Sequence, residues 1–219
     1  MNSAWTEQLE TATAHLAAHD PVLRNIINDA PLPSFTPHTN YYQELVESII
    51  SQQLSVKAAA SILKRFKALF MSDFPNPAEI LDESIETFRS VGLSRPKAAY
   101  IMDLAAKVLD GTVQFDHLDA LSNEEVIEEL IQIKGVGIWT VHMFLIFCMG
   151  RLDVLPTGDL GIKNGIQKLY GFKEKPTPEE MEAIAKKHHW HPYESVASWY
   201  VWHSLDNQPA IETVVAAES

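Results

Sequence analysis

The chain has 219 residues, 46% of them hydrophobic, with one cysteine and a formal net charge of −12. That length buries a core in one domain or in two lobes, while a single cysteine excludes an internal disulfide, a cysteine-ligated iron–sulfur cluster and a zinc ribbon. The acidic balance counts against unspecific nucleic-acid binding, and no apolar run approaches about 20 residues, so the reading is of a soluble intracellular protein without a membrane partner.

Along the chain the apolar periodicity is helical and strand-like alternation is absent. Residues 31–40, rich in proline, read as a linker. Leu45, Ile49 and Ile50 mark one amphipathic helix, and Ala58 to Leu69 a second. Ser94 starts a third, with Pro96 early in it, which runs from Ala98 to Leu109 and is closed by Gly111. Ser122 and Glu125 have capping-box spacing ahead of a fourth, over Val126–Ile131. Gly135 and Gly137 then interrupt the chain, and an apolar helical segment begins at Ile138 and continues through Trp139, Met143, Phe144 and Phe147. Cys148 sits inside this apolar run and reads as core. A second irregular stretch, 150–158, leads to Asp159, which is placed as the N-cap of a further helix. Thr177-Pro178-Glu179-Glu180 opens another, and the last eight or so residues read as a frayed tail.

These signals predict an all-α protein of roughly ten short helices. Residues 43–150 form a central lobe ending in a helix-hairpin-helix over about 122–148, and residues 1–42 with 151–219 form the second lobe from both termini. The cleft between the lobes is expected to hold Asp159 near the hairpin. The hairpin carries the chemistry of a phosphate clamp. Glycine takes left-handed backbone angles without steric cost, and bare backbone lets the N–H groups opening the second helix meet a phosphate. The same bend can turn carbonyls toward a monovalent cation. Acidic residues are bunched, as at Glu124-Glu125 and Glu128-Glu129, and basic ones recur elsewhere, as at Lys64-Arg65 and Arg95-Pro96-Lys97, so DNA binding is expected to be weak and salt-sensitive. The run His188-His189-Trp190-His191 has no carboxylate or cysteine at matching spacing and follows Lys186-Lys187, so it reads as a polar helix end.

The segment from Leu130 to Thr140, with Asp159 downstream, resembles the helix-hairpin-helix DNA glycosylase superfamily and within it the DNA-3-methyladenine glycosylase II family. The likeness extends to Ile49–Ser55, to Gly92–Ala98 and to Trp190–Ala197, and it covers about residues 40–205, as in the short form without an N-terminal β-rich domain. The resemblance implies a monofunctional enzyme that flips an alkylated purine of the 3-methyladenine or 7-methylguanine type out of double-stranded DNA and hydrolyses its N-glycosidic bond, a step of base excision repair. Asp159 is then the catalytic carboxylate, stabilising positive charge on the deoxyribose. Bifunctional relatives carry a lysine nucleophile two residues after the second hairpin glycine, where this chain has Trp139, so no strand-nicking lyase activity is expected.

By the same resemblance Gln53, with Leu54 beside it, is the wedge that fills the gap left by the flipped base. Trp139 and Trp202 face that base, with Met143 and Leu160 completing the pocket, while Trp190 and Trp199 are packing residues; an aromatic pocket favours a cationic, alkylated purine. Lys134, Gly135, Gly137, Ile138 and Thr140 form the DNA-backbone set. The carbonyls of Ile131, Ile133 and Val136 are implied ligands for a structural Na+ or K+, with no cofactor needed for catalysis. Met143, Leu160 and Glu194 depart from residues common in the family, aromatic, Tyr and Arg respectively, and bear on substrate range. Two other readings stand beside this one: a noncatalytic damage-binding module, and a glycosylase for a deaminated, etheno or oxidised base. A monomer in a bacterial cytoplasm, or in a nucleus if the source is eukaryotic, suits the composition.

Overall fold

In the computed structural model, which describes residues 3–205, all regular structure is helical. The α-helices are α1 (Ser3–His19), α2 (Pro21–Ile27), α3 (Tyr41–Ser51), α4 (Val56–Lys67), α5 (Pro77–Leu81), α6 (Ile85–Ser90), α7 (Arg95–Leu109), α8 (Asn123–Leu130), α9 (Ile138–Met143), α10 (Leu160–Tyr170), α11 (Pro178–Lys187) and α12 (Glu194–His203). A 3-10 turn spans Leu118–Ala120, and α9 runs on as a π-helical turn over Phe144–Cys148. The tail expected over the last eight or so residues lies outside the described residues. No helix among the described residues is long and apolar enough to cross a membrane.

The chain divides into two compact units, residues 38–144 and residues 3–37 with 145–205. The first unit holds α3 to α9. Six of its helices begin on Ser or Asn (Asn40, Ser55, Asn76, Ser84, Ser94 and Ser122), and each of these side chains accepts a first-turn backbone N–H. The exception is α9, which starts at Gly137 with no side-chain cap. The core gathers around Phe66, whose ring lies 5.6 Å from Phe70 and 5.7 Å from Phe88, with Leu45, Ile49, Ile80, Ile101 and Leu104 fully buried. Each contributes about 1.5–3 kcal/mol of transfer free energy, less the entropy of ordering it.

His38 opens this unit and pairs with Glu44 of α3 at 2.9 Å. The hydrogen bond that the His38 ring donates to the Glu44 carboxylate is the main cause holding the His38 pKa above its ordinary value, against desolvation. The protonated ring is therefore favoured by folding, so its contribution is whole below the unfolded histidine pKa and is lost as pH rises through the raised folded value. The difference in Tm between wild type and His38→Gln is expected to be larger near about pH 6 than near about pH 8.5, as differential scanning calorimetry at the two values would read.

The second unit is organised by α12, which is buried at eight consecutive positions from Ser195 to Trp202 and packs on α1, α2 and α10. Close approach of α10 depends on Gly165, where a Cβ would fall 2.3 Å from Val201 Cγ1. Asp20, fully buried, caps α2 through the N–H groups of Val22 and Leu23 and accepts from Tyr170 Oη at 2.6 Å and Trp190 Nε1 at 2.8 Å. Every donor around this carboxylate is satisfied by it, which makes the burial of its charge tolerable. Trp190 and Trp199 are both interior. His188, from the histidine run, lies 3.7 Å from Asp20 Oδ1.

Candidate functional site

Asp159 is the N-cap of α10, with extended backbone angles and its Oδ1 accepting from Ile162 N at 2.8 Å. The same Oδ1 accepts from Trp202 Nε1 at 2.8 Å. One donor comes from its own helix and the other from α12, 43 residues away, so the carboxyl group is held from two directions. The N-terminal end of α10 adds partial positive charge that favours an anion there. Asp159 is partly exposed and Leu160 beside it is 58% exposed, so the carboxylate sits at an accessible surface.

Trp202 has a different part from the one expected of it. Only 2% of its surface is exposed, its ring packs 5.8 Å from Phe147, and its indole N–H is committed to Asp159; it positions the carboxylate and offers no open face as a pocket wall. Trp202→Phe is expected to keep the packing and lose the donor, lowering single-turnover base release by about tenfold, the worth of one charge-assisted hydrogen bond. Unchanged release would remove Trp202 from the site.

Gly161 escaped the sequence reading altogether. A Cβ there would lie 3.0 Å from both Asp159 Oδ1 and Trp202 Cδ1, so the absence of a side chain makes room for this hydrogen bond. The only signal in the sequence is a glycine in the first turn of a helix, a place where it weakens the helix by about 1 kcal/mol.

The other expected residues lie in the 38–144 unit. Gly135 adopts φ +78°, and a Cβ on it would fall 2.1 Å from the Tyr100 ring of α7, so both the angle and the space demand glycine. Gly137 starts α9 without a side-chain cap, so the backbone opens that helix with no capping side chain over it. Thr140 itself is buried at 6% exposure, so only its backbone can serve a phosphate, whereas Ile138 and Trp139 are exposed at 55% and 41%.

Lys134 stays largely exposed while its backbone N–H donates to Asp103 Oδ2 at 2.9 Å and its ammonium pairs with Asp103 Oδ1 at 3.1 Å, so this residue also ties the hairpin to α7. Burial raises the Asp103 pKa, and the bonds from Lys134 outweigh it, leaving a net lowering. Met143 is completely buried, because it lies with Thr140 and Val141 on the inward side of α9, and so it fills core and lines no open pocket. Among the carbonyls expected to hold a cation, Ile133 already accepts from Val136 N at 3.1 Å, which occupies one of its two lone pairs and leaves the other for a ligand.

Gln53 and Leu54 form the turn between α3 and α4. Gln53 is exposed and has φ +58°, a left-handed angle unusual for a residue with a side chain. Leu54 is partly exposed beside it. Two basic groups of the unit are turned to structural work: Arg65 Nε donates to Val91 O at 2.8 Å, and Lys97 Nζ donates to the carbonyls of Ile50 and Gln52.

A family model described as the HhH-GPD superfamily base excision DNA repair protein matches residues 46–189. The chain belongs to the HhH-GPD superfamily of base excision DNA repair proteins. It is 40% identical over 163 residues to DNA-3-methyladenine glycosylase 1 of Schizosaccharomyces pombe, covering 74% of this chain and 71% of that one. It is 33% identical over 196 residues to the alkylbase DNA glycosidase-like protein mag2 of the same yeast, covering 87% of this chain and 91% of that one. Among solved structures, S. pombe 3-methyladenine DNA glycosylase (Mag1) in complex with abasic DNA aligns with a TM-score of 0.75 at 35% identity, over 90% of this chain and 97% of that one. The DNA-3-methyladenine glycosidase of Bacillus halodurans aligns with a TM-score of 0.79 at 34% identity, over 94% and 95% of the two chains. The all-helical architecture of this HhH-GPD protein is the one those likenesses share.

Proposed function

We propose that the protein is a monofunctional DNA glycosylase that removes alkylated purines, of the 3-methyladenine and 7-methylguanine type, from duplex DNA by flipping the base and hydrolysing its N-glycosidic bond. The observation that carries this is Asp159: a partly exposed carboxylate held on Oδ1 by Ile162 N–H and Trp202 N–H, in a chain of the base excision repair superfamily whose relatives bear the name DNA-3-methyladenine glycosylase. As the bond between C1′ and the base nitrogen lengthens, its electron pair leaves with the base, and positive charge grows on the deoxyribose. An N3- or N7-alkylated purine is cationic before cleavage and neutral after it, so it departs without a protonating acid. The Asp159 carboxylate stabilises the sugar cation, and water then adds to C1′, releasing one proton and leaving an abasic site. Trp139, at the position two residues after Gly137, has no amine to attack C1′, so the strand is left intact.

The DNA backbone is taken by the uncapped start of α9 and the glycine bend, which suits an acidic protein because backbone N–H groups need no cationic side chains. The carbonyls of Ile131, Ile133 and Val136 would hold a Na+ or K+ ion, whose charge would help to offset the phosphates. The protein acts as a monomer on double-stranded DNA carrying damaged bases, in the compartment that holds the DNA, the bacterial cytoplasm or the nucleus.

Mass spectrometry of free bases released from duplexes carrying single lesions tests the assignment. Release of 3-methyladenine and 7-methylguanine is expected, with the strand cut only after alkali. Release of hypoxanthine, ethenoadenine or an oxidised purine in their place would move the substrate class, and binding to all lesions without release of any would mean a damage-binding module.

A further inference from the structure

We infer that Lys97, acting with Gln52, is a positioning residue for base flipping: it holds the α3–α4 turn in the shape that presents Gln53 and fastens that turn to the hairpin. The inference rests on the glycosylase reading above and concerns how the wedge is held.

Ser51 to Leu54 form a hydrogen-bonded turn, with Leu54 N donating to Ser51 O at 3.1 Å. Gln52 has φ −45° and ψ 127°, and Gln53 has φ +58°. These are the angles of a type II turn, whose third residue is normally glycine because φ is positive there. A glutamine in that place costs about 1 kcal/mol or more and persists only where the surroundings enforce it. The enforcement is visible. Lys97 Nζ donates to Ile50 O at 2.7 Å and Gln52 O at 2.6 Å, gathering two carbonyls at the C-terminal end of α3, where a cation also meets the negative end of the helix dipole. Gln52 Nε2 donates to Gly135 O at 3.1 Å, so the turn is tied directly to the glycine bend.

All the partners belong to one unit and converge on one face of α7. Lys97, Tyr100 and Asp103 stand three residues apart; Lys97 holds the turn, the Tyr100 ring fills the space beside Gly135, and Asp103 holds the backbone N–H of Lys134. A helix that grips both elements sets the distance from the phosphate-binding bend to Gln53. Partial burial of the Lys97 ammonium, which pulls its pKa below the usual lysine value, marks a charge kept in place for its carbonyl partners. Cutting the tie should leave the hairpin able to hold duplex DNA while the wedge loses its aim.

The test compares wild type with Lys97→Met, Lys97→Arg and Gln52→Ala. A duplex with 2-aminopurine beside an abasic analogue reports flipping by fluorescence, single-turnover release of 7-methylguanine reports excision, and anisotropy reports affinity for undamaged duplex. Lys97→Met is expected to lower the fluorescence rise and the release rate together, by about tenfold or more, with duplex affinity within about twofold. Lys97→Arg, which keeps a donor cation, should recover most of both. Gln52→Ala, a loop change with little bearing on the core, should move both readouts the same way by about threefold. Flipping unchanged in Lys97→Met and Gln52→Ala, release lost with the fluorescence rise intact, or affinity falling in step with the rate would overturn the inference. A wild-type protein that binds duplex DNA yet neither flips nor excises would overturn the glycosylase reading first, and this inference with it.

Discussion

Asp159→Asn is expected to fold like the wild type, bind lesion DNA like the wild type and release no measurable base. The fold survives because Asn is as good an N-cap as Asp: its amide oxygen can accept from Ile162 N and Trp202 Nε1 in the same geometry. Thermal stability should change by no more than about 0.5 kcal/mol. What is lost is the negative charge opposite a developing sugar cation, and removing one such electrostatic contact commonly slows the chemical step by about 10²–10³-fold or more. Asp159→Ala is the informative contrast. It removes the cap, at about 1 kcal/mol, and strands the buried indole N–H of Trp202, at about 1–3 kcal/mol more. A rate loss shared by both variants with a stability loss confined to Ala would separate the catalytic role of this residue from its structural one. If Asp159→Asn kept a rate within about threefold of wild type, the carboxylate would not be the catalytic group.

Gly135→Ala should be the most damaging single methyl group in the hairpin. The added Cβ would lie 2.1 Å from Tyr100 Cδ2, and the backbone would still have to hold φ +78°. A left-handed angle costs a residue with a side chain about 1–2 kcal/mol, and forcing an atom into packed space about 1–3 kcal/mol, so a loss of roughly 2–5 kcal/mol is expected. Relief by moving Tyr100 would disturb α7 between Lys97 and Asp103, and relief by moving residue 135 would shift the carbonyl that accepts from Gln52. Either way the affinity for duplex DNA should drop by about tenfold or more while the unit that holds Asp159 stays intact. Chemical denaturation and anisotropy titration would read the two effects. Wild-type stability in this variant would mean that the ring moves aside freely and that the hairpin is looser than its packing indicates.

The helix starts were legible because they are local. Ser94, Ser122 and Thr177 each cap a helix in the structure as their spacing implied, with capping boxes completed by Glu125 and Glu180. Asp159 as an N-cap belongs to the same class, a bond spanning three residues. Helix α12 was not read from the sequence, since burial at eight consecutive positions erases the polar face that periodicity needs. The short helices α5 and α6, five and six residues long, begin on Asn76 and Ser84 but hold too few turns to show a pattern.

What stayed hidden lies where a long-range contact decides. Lys134 was placed in the DNA-backbone set, and its further partner Asp103 lies 31 residues earlier on a helix with no sequence cue linking the two. Trp202 looked like a pocket wall until the carboxylate 43 residues before it claimed the indole N–H. Met143 and Thr140 face inward because of what α9 packs against, which a six-residue helix cannot announce. Gly161 and Lys97 owe their parts to atoms that only folding brings near, the Asp159–Trp202 bond and the carbonyls at the end of α3.

The most direct measurement is the amount of free 3-methyladenine and 7-methylguanine that the wild-type protein liberates from methylated duplex DNA in a single turnover, with the backbone checked before and after alkali. Both bases should appear at least tenfold faster than by spontaneous loss, from DNA that stays unbroken until alkali is added. Base release no faster than in protein-free DNA, from a protein that binds that DNA, would contradict a glycosylase for alkylated purines.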